Sequence, residues 1–344
     1  MRKQLLAAGF VIFSFMLPMK ASAAIFSQLY IFGDSTVDDG NFFSLTKETL
    51  GVGIPPSPYS KGRLSNGKVW VEYLAKDLGL KTTNFAVAGS TTGELNTLNN
   101  SLPGLSQQIK SFSEGLYNFQ ADADGLYIIS AGGNDYFGAG IQDFTQPVNN
   151  LLNVVTNLAS VGAKNFLIAN LPNLGNTPAT KDTDFSGPLN SLTGVHNSAL
   201  NQGLQFLSQQ EPNLNINLFD VNSLIGQIQK DGGKFGLTNV TDRCLQESIE
   251  DILETGEFTQ CDNPNEYLFW DDIHPTTRTH RLIADAALVA LHPQSVPEPG
   301  AVLGMLAFGA LGAAGVLKGQ QKKFAFTPAS PVLVAQSSHT RAEN

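Results

Sequence analysis

The chain has 344 residues, 42% of them hydrophobic, enough for one large domain with appendages or for two small domains. Its formal net charge of -9 hides an asymmetry: residues 24–296 hold 14 Lys+Arg against 28 Asp+Glu, and the compensating positive charge lies at the two ends. So acidic a body is a poor partner for nucleic acid or anionic headgroups, and it suits a soluble or extracellular domain acting on neutral substrates.

In chain order, residues 1–24 read as a secretory signal: a basic "MRKQ", the apolar "LLAAGFVIFSFMLP", and Ala21-Ser22-Ala23 as a small-x-small cleavage site. "QLYIFGDS" at 28–35 is a buried strand ending in Gly-Asp-Ser. The Pro-rich "GIPPSPYSKG" reads as a short surface loop. "VWVEYLAKDLGL" at 69–80 is an amphipathic helix with Val69, Tyr73, Leu74 and Leu78 on one face and Gly79 as its stop. A second strand spans "TTNFAVAGS" at 82–90, and a third spans "DGLYIISAGGND" at 124–135. A helix at 149–163 feeds the strand "KNFLIANLP" at 164–172, and a helix through roughly 190–210 leads to a fifth strand at 213–221. After Pro275 a last helix runs to about Leu291. Strands alternating with helices imply parallel crossovers and a sheet covered on both faces. In such sheets ligands sit beyond the carboxyl ends of the strands, where Asp34-Ser35, Gly89-Ser90, Asn134-Asp135 and Asn170 gather here.

Cys244 and Cys261 fall in an oxidising compartment if the leader directs export, so a disulfide is their default pairing. It would close a loop of about 18 residues and stabilise by ~3 kcal/mol. Two cysteines exclude a pair of C-x-x-C metal motifs. The region 223–268 that contains them is expected to shape the substrate entrance.

Three features suggest chemistry. Ser35, directly after a buried strand, could project into a crevice, but a serine hydroxyl needs a base to become a nucleophile. The G-x-S-x-G elbow is absent, which argues against the α/β-hydrolase arrangement. Of five histidines only His274, in "LFWDDIHP", combines an acidic neighbour with a place outside regular structure, because Pro275 keeps it from the helical region. One helical turn between acid and histidine would favour Asp271 as its partner, whereas extended backbone would favour Asp272. A metal reading through Asp271, Asp272, His274 and His280 lacks the histidine pair of H-E-x-x-H. Gly89 could offer an unobstructed N–H, and Asn134 a side-chain amide, to a developing oxyanion.

The blocks "IFGDSTVDDGN", "NFAVAGS", "SAGGNDYF" and "YLFWDDIHPT" resemble, in order, those of the GDSL-type SGNH hydrolases. "GRLSNGKVWVEYLA" resembles the esterase-lipase branch of that family. The resemblance spans residues 28–291 and implies a three-layer α/β/α, flavodoxin-like fold with a mostly parallel five-stranded sheet over 25–293. It implies a serine esterase or lipase with Ser35 as nucleophile, His274 as base and Asp271 as its orienting acid. The oxyanion hole would be Ser35 N–H, Gly89 and Asn134. Thr36 stands where the family name has leucine, and Asp38 and Asn41 would support the Ser35 turn. No cofactor or metal is implied; the partner is an ester substrate such as a lipid, an acylated glycan or a small ester. Acyl transfer and polysaccharide deacetylation could use the same site, and the non-enzymatic alternative is a matrix component that keeps the fold.

At the other end, "VPEPGAVLGMLAFGALGAAGVLKGQQKK" resembles a PEP-CTERM sorting signal over 294–323. Its apolar run Ala301–Leu317 has the minimum length of a membrane span, and Lys318, Lys322 and Lys323 come after it. The resemblance implies membrane contact before processing, an exosortase-type protease as partner and release to the cell surface or beyond. The 21-residue tail Phe324–Asn344 departs from that pattern; a plain C-terminal anchor is the alternative.

Overall fold

The computed structural model describes residues 26–291, so the leader, the Val-Pro-Glu-Pro segment with its span at 301–317, and the tail lie outside the described residues. Among the described residues, no helix is long and apolar enough to cross a membrane. The chain begins with β1 (Leu29–Gly33), then helices α1 (Asn41–Leu50) and α2 (Trp70–Leu78) and β2 (Thr82–Asn84). Helix α3 (Leu105–Glu114), β3 (Leu126–Ser130), α4 (Gly133–Phe137) and α5 (Thr145–Ser160) come next. Then come β4 (Asn165–Ala169), α6 (Ser186–Gln210), β5 (Asn215–Phe219) and α7 (Val221–Lys230). Last are β6 (Asn239–Arg243), α8 (Ile249–Thr255), β7 (Tyr267–Phe269) and α9 (Thr277–Leu291).

The first five strands form one sheet in the order β2-β1-β3-β4-β5, every pair parallel. Alternation along each strand assigns its two faces. Leu29, Ile31, Leu126, Ile128 and Leu167 pack in one core with residues of α2, α7 and α9. Phe32, Tyr127, Ile129, Phe166 and Ile168 pack in the other, with α3, α5 and α6. The result is the expected three-layer α/β/α architecture. Its strand order reverses direction at β1 and β3, and such a switch point opens a crevice at the carboxyl edge.

The expected second strand, 82–90, shortens to β2. Beyond it Phe85 N and Val87 N still donate to Ile31 O and Gly33 O, at 2.8 and 3.1 Å. Ala86 N, the amide between them, turns instead to Asn84 Oδ1 at 2.9 Å. The third strand stops at Ser130 and its Gly-Gly-Asn-Asp tail becomes α4. Helix α3 has no clear sequence signal because its buried face, Leu105, Gln108, Ile109 and Phe112, has a glutamine within the apolar stripe.

Cys244 and Cys261 form a disulfide with Cα atoms 4.8 Å apart and a sequence separation of 17. It lies in a third apolar cluster with Tyr59, Leu245 and Trp270, beside the two-stranded β6–β7 sheet. Of the region 223–268, expected to shape the entrance, Ile225, Gln229, Ile249 and Leu268 line a cleft shared with the ends of β1 and β3.

Candidate active site

Gly33 has φ +149°, and a Cβ on it would lie 1.9 Å from the Ser130 carbonyl oxygen, so only glycine lets β1 end this close to β3. The chain then turns. The buried Asp34 carboxylate accepts from Thr36 N at 3.0 Å and from Thr36 Oγ1 at 2.7 Å. This turn lifts Ser35, 8% exposed, to the sheet edge. Asp38 caps the start of α1, accepting from Gly40 N, Asn41 N and Phe42 N, and it also accepts from Ala88 N, all at 2.6–3.0 Å. Asn41 Nδ2 in turn donates to Asn84 O and Ala86 O, each at 2.9 Å. Burial raises the Asp38 carboxyl to about 6 against those bonds. Both residues therefore brace the Ser35 turn against the strand carrying Ala88 and Gly89.

The second half of the site comes from the loop between β7 and α9. Trp270 N donates to His274 O at 2.7 Å, closing a tight turn. Within it Asp271 Oδ1 accepts from Ile273 N at 2.9 Å and from His274 N at 2.7 Å, the local bonding that aspartate favours in turns. That places His274 Nδ1 at 2.9 and 2.8 Å from the two Asp271 carboxylate oxygens. Its Nε2 is 2.9 Å from Ser35 Oγ. Asp272 points away and pairs with Arg243 Nη1 at 2.6 Å, which settles which aspartate meets the histidine. Burial of Asp271 opposes its charge, but the His274 charge and the turn's hydrogen bonds outweigh it, so its pKa is lowered. Burial likewise works against a charged His274, and Asp271 more than offsets this, so the imidazole pKa is raised.

Segment 63–70 fastens this loop. Ser65 Oγ donates to Pro275 O at 2.9 Å, Thr277 N donates to Asn66 Oδ1 at 2.7 Å, and Trp70 N donates to His280 Nδ1 at 3.2 Å. His280 is fully buried and its pKa is lowered to about 3 by burial, so it stays neutral with its proton on Nε2. The metal grouping weighed from sequence does not assemble: Asp272 faces Arg243, and His280 Nδ1 is occupied by Trp70 N. Among the described residues no cluster of three or more His, Cys, Asp or Glu side chains could hold a metal ion.

Gly89 has φ +83°, and a Cβ there would meet Asn96 Oδ1 at 2.5 Å and Leu98 Cγ at 2.7 Å. Among the described residues, neither Ser35 N–H nor Gly89 N–H donates to a protein acceptor. Asn134 Nδ2 donates to Ser90 O at 3.0 Å, which leaves its second amide hydrogen. Asp135 accepts from Thr92 N at 2.9 Å and Thr92 Oγ1 at 2.7 Å, so α4 and the Gly89 loop are tied together. Ser35, Gly89, Asn134 and His274 all line one cavity of about 220 Å³. Its inner part reaches buried Trp70, Leu268 and Ile283 between the sheet and helices α2 and α9.

Two contributors had no usable sequence signal. Gln108 of α3 accepts from Gly33 N at 2.9 Å, and its Nε2 donates to Gly33 O and to Ser90 Oγ, each at 2.9 Å. The side-chain amide acts as a strand partner for the residue before Asp34-Ser35 and ties it to the residue after Gly89. Tyr59 lies in the Pro-rich stretch read as a surface loop, yet it is 6% exposed and its Oη donates to Asp271 Oδ2 at 2.9 Å. A loop residue buried by contacts more than 200 positions away leaves no local pattern.

A serine held against an imidazole that is itself held by a carboxylate, beside free backbone amides and a side-chain amide, is an arrangement suited to acyl transfer. The sequence pattern of the GDSL-like Lipase/Acylhydrolase family matches residues 29–287. The chain belongs to that family and is an ester-hydrolysing enzyme. The phosphatidylcholine-sterol acyltransferase of Aeromonas hydrophila is 26% identical over 319 residues, covering 79% of this chain and 92% of that one. The thermolabile hemolysin of Vibrio parahaemolyticus is 29% identical over 280 residues, which cover 76% of this chain and 63% of the hemolysin. Among solved structures, Est24, a carbohydrate acetylesterase from Sinorhizobium meliloti, is 15% identical with a TM-score of 0.45. That match covers 77% of this chain and 96% of Est24.

Proposed function

We propose that the protein is an exported serine hydrolase of carboxylic esters that works through a Ser35–His274–Asp271 triad and an acyl-enzyme. The observation that carries this reading is the continuous path from Asp271 through His274 Nδ1 and Nε2 to Ser35 Oγ, each link 2.8–2.9 Å long. A carboxylate at Nδ1 keeps the imidazole proton there, leaving the Nε2 lone pair for the Ser35 hydroxyl. As Oγ attacks the ester carbonyl, its proton passes to His274, and the carbonyl oxygen becomes an oxyanion bound by Ser35 N–H, Gly89 N–H and Asn134 Nδ2. His274 then protonates the departing alcohol; water repeats the sequence and releases the acid. The apolar inner cavity suits the acyl portion, and Asn170, Asn173 and Gln229 line the cavity as neutral polar groups for the alcohol portion.

A second reading, transfer of the acyl group to another alcohol, is favoured by the similarity to a phosphatidylcholine-sterol acyltransferase. Water and an alcohol compete for the same acyl-enzyme, so both reactions need the same residues. Export rests on the leader-like segment and on the Val-Pro-Glu-Pro segment, which an exosortase-type protease would cut near Pro297–Pro299.

Fluorophosphonate labelling of wild type and Ser35→Ala, with p-nitrophenyl esters of increasing acyl length and with acylated glycans, tests the reading. Label and turnover present in wild type and absent in Ser35→Ala are expected. An unlabelled wild type without ester turnover sinks the proposal. For sorting, mass spectrometry of secreted protein is expected to find no peptide beyond about residue 300; recovery of 324–344 on the mature chain overturns that part.

A further inference from the structure

We propose that Tyr59 is a positioning residue of the reaction, a fourth link that holds Asp271 in plane with His274 and tempers the carboxylate's charge; this rests on the triad reading above. The carboxylate receives its partners unevenly. Oδ1 accepts both turn amides, Ile273 N and His274 N, besides facing His274 Nδ1. Oδ2 faces His274 Nδ1 at 2.8 Å, and the Tyr59 hydroxyl at 2.9 Å is its other donor. The turn amides fix one oxygen; Tyr59 fixes the other and with it the rotation of the carboxylate about its Cβ–Cγ bond.

The hydroxyl is itself well held. Tyr59 N donates to Pro56 O at 3.0 Å, and the ring packs edge-on against Trp270, the residue just before Asp271, with centroids 6.2 Å apart. Burial, then the Asp271 charge, push the phenol well above its ordinary range, so it remains a donor wherever His274 can act as base. Buried tyrosine hydroxyls need a partner; here that partner is the acid of the site.

A donor on Oδ2 draws negative charge away from the imidazole. Removing it leaves Asp271 a stronger partner for the imidazolium, so the His274 pKa rises. The other groups that act on His274 are Asp34 at the end of β1 and His280 of α9, while Asp272 and Glu250 face Tyr59 from farther off. None of these is changed by the substitution.

The test is Tyr59→Phe, which keeps the ring on Trp270. With a p-nitrophenyl ester, kcat is expected to fall about tenfold with KM within about twofold, because a change of pose in the acid acts on the transition state. The acid limb of kcat/KM is expected to move up by about half a pH unit. In Asp271→Asn the same change is expected to add less than about twofold, since residues acting through one another are not additive. Full activity in Tyr59→Phe, an unmoved acid limb, or a multiplicative loss in the double variant overturns the proposal. Wild type that fails to label at Ser35 instead overturns the triad reading and takes this inference with it. A labelled wild type with an unmoved acid limb in Tyr59→Phe removes this inference alone.

Discussion

Replacing Asp271 by asparagine, with Asp272→Asn as its partner experiment, probes the assignment of the acid with a change of one atom. The five contacts around the Asp271 carboxylate are all donors: two turn amides, the Tyr59 hydroxyl and His274 Nδ1 against both oxygens. An asparagine can keep its oxygen on the two amides, but its NH2 then occupies the Oδ2 position. There it faces Nδ1 as a donor, so Nδ1 must become the acceptor and the imidazole proton moves to Nε2. Nε2 can no longer take the proton from Ser35 Oγ. The comparable change in a serine protease lowers kcat about 10⁴-fold, equivalent to about 5.5 kcal/mol. The Asp272–Arg243 pair, with side chains 45% and 34% exposed, is worth at most about 1 kcal/mol after solvent screening. Its asparagine variant should stay within about twofold of wild-type kcat, because the carboxylate touches no member of the site. Steady-state kinetics with a p-nitrophenyl ester, and the rate of fluorophosphonate labelling, measure both variants. Equal losses, or an Asp271→Asn enzyme within tenfold of wild type, would refute the reasoning.

Other consequences are equally accessible. Because His274 must be neutral to act as base and its pKa is raised, kcat/KM should decline with falling pH from a midpoint above that of an ordinary histidine; a midpoint below it would contradict these electrostatics. Gln108→Leu leaves the Gly33 N–H buried without an acceptor, so stability should drop by about 1–3 kcal/mol and kcat by about tenfold with little change in KM. Denaturant melts and ester kinetics test this, and a stability loss without any rate loss would make Gln108 purely structural. His196, wholly buried with Nδ1 on the Tyr136 hydroxyl, has its pKa lowered to about 4 by burial. The unfolded chain therefore takes up its proton first, and about 3 kcal/mol of stability should be lost as pH falls from about 6.5 to 4. Asp38 and Asp135, both raised to about 6, act with the opposite sign, so the readout is the pH slope of His196→Gln against wild type. Identical slopes would exclude His196.

The sequence by itself determined the layering and the residues at the strand ends. Continuous apolar strands alternating with amphipathic helices leave a covered parallel sheet as the solution, and polar residues cannot continue such strands into the core. Ser35, Gly89, Asn134 and His274 were thus legible as candidates because each interrupts a strong local pattern. The Asp271–Asp272 choice was not legible from spacing, since helical and extended backbones give opposite answers. The turn that decides it is made by Asp271 itself, bonding the amides of Ile273 and His274 while Arg243 draws Asp272 away. Tyr59 and Gln108 were decided only by the tertiary structure. One was hidden in a loop that looked solvent-exposed, and the other in a helix whose apolar stripe it interrupts. Local periodicity reports which face a residue presents to its own element. It carries no information on which distant carboxylate or strand end that face will meet, and the long-range hydrogen bonds at this site, from Gln108–Ser90 to His274–Ser35, span 18 to 239 residues of chain.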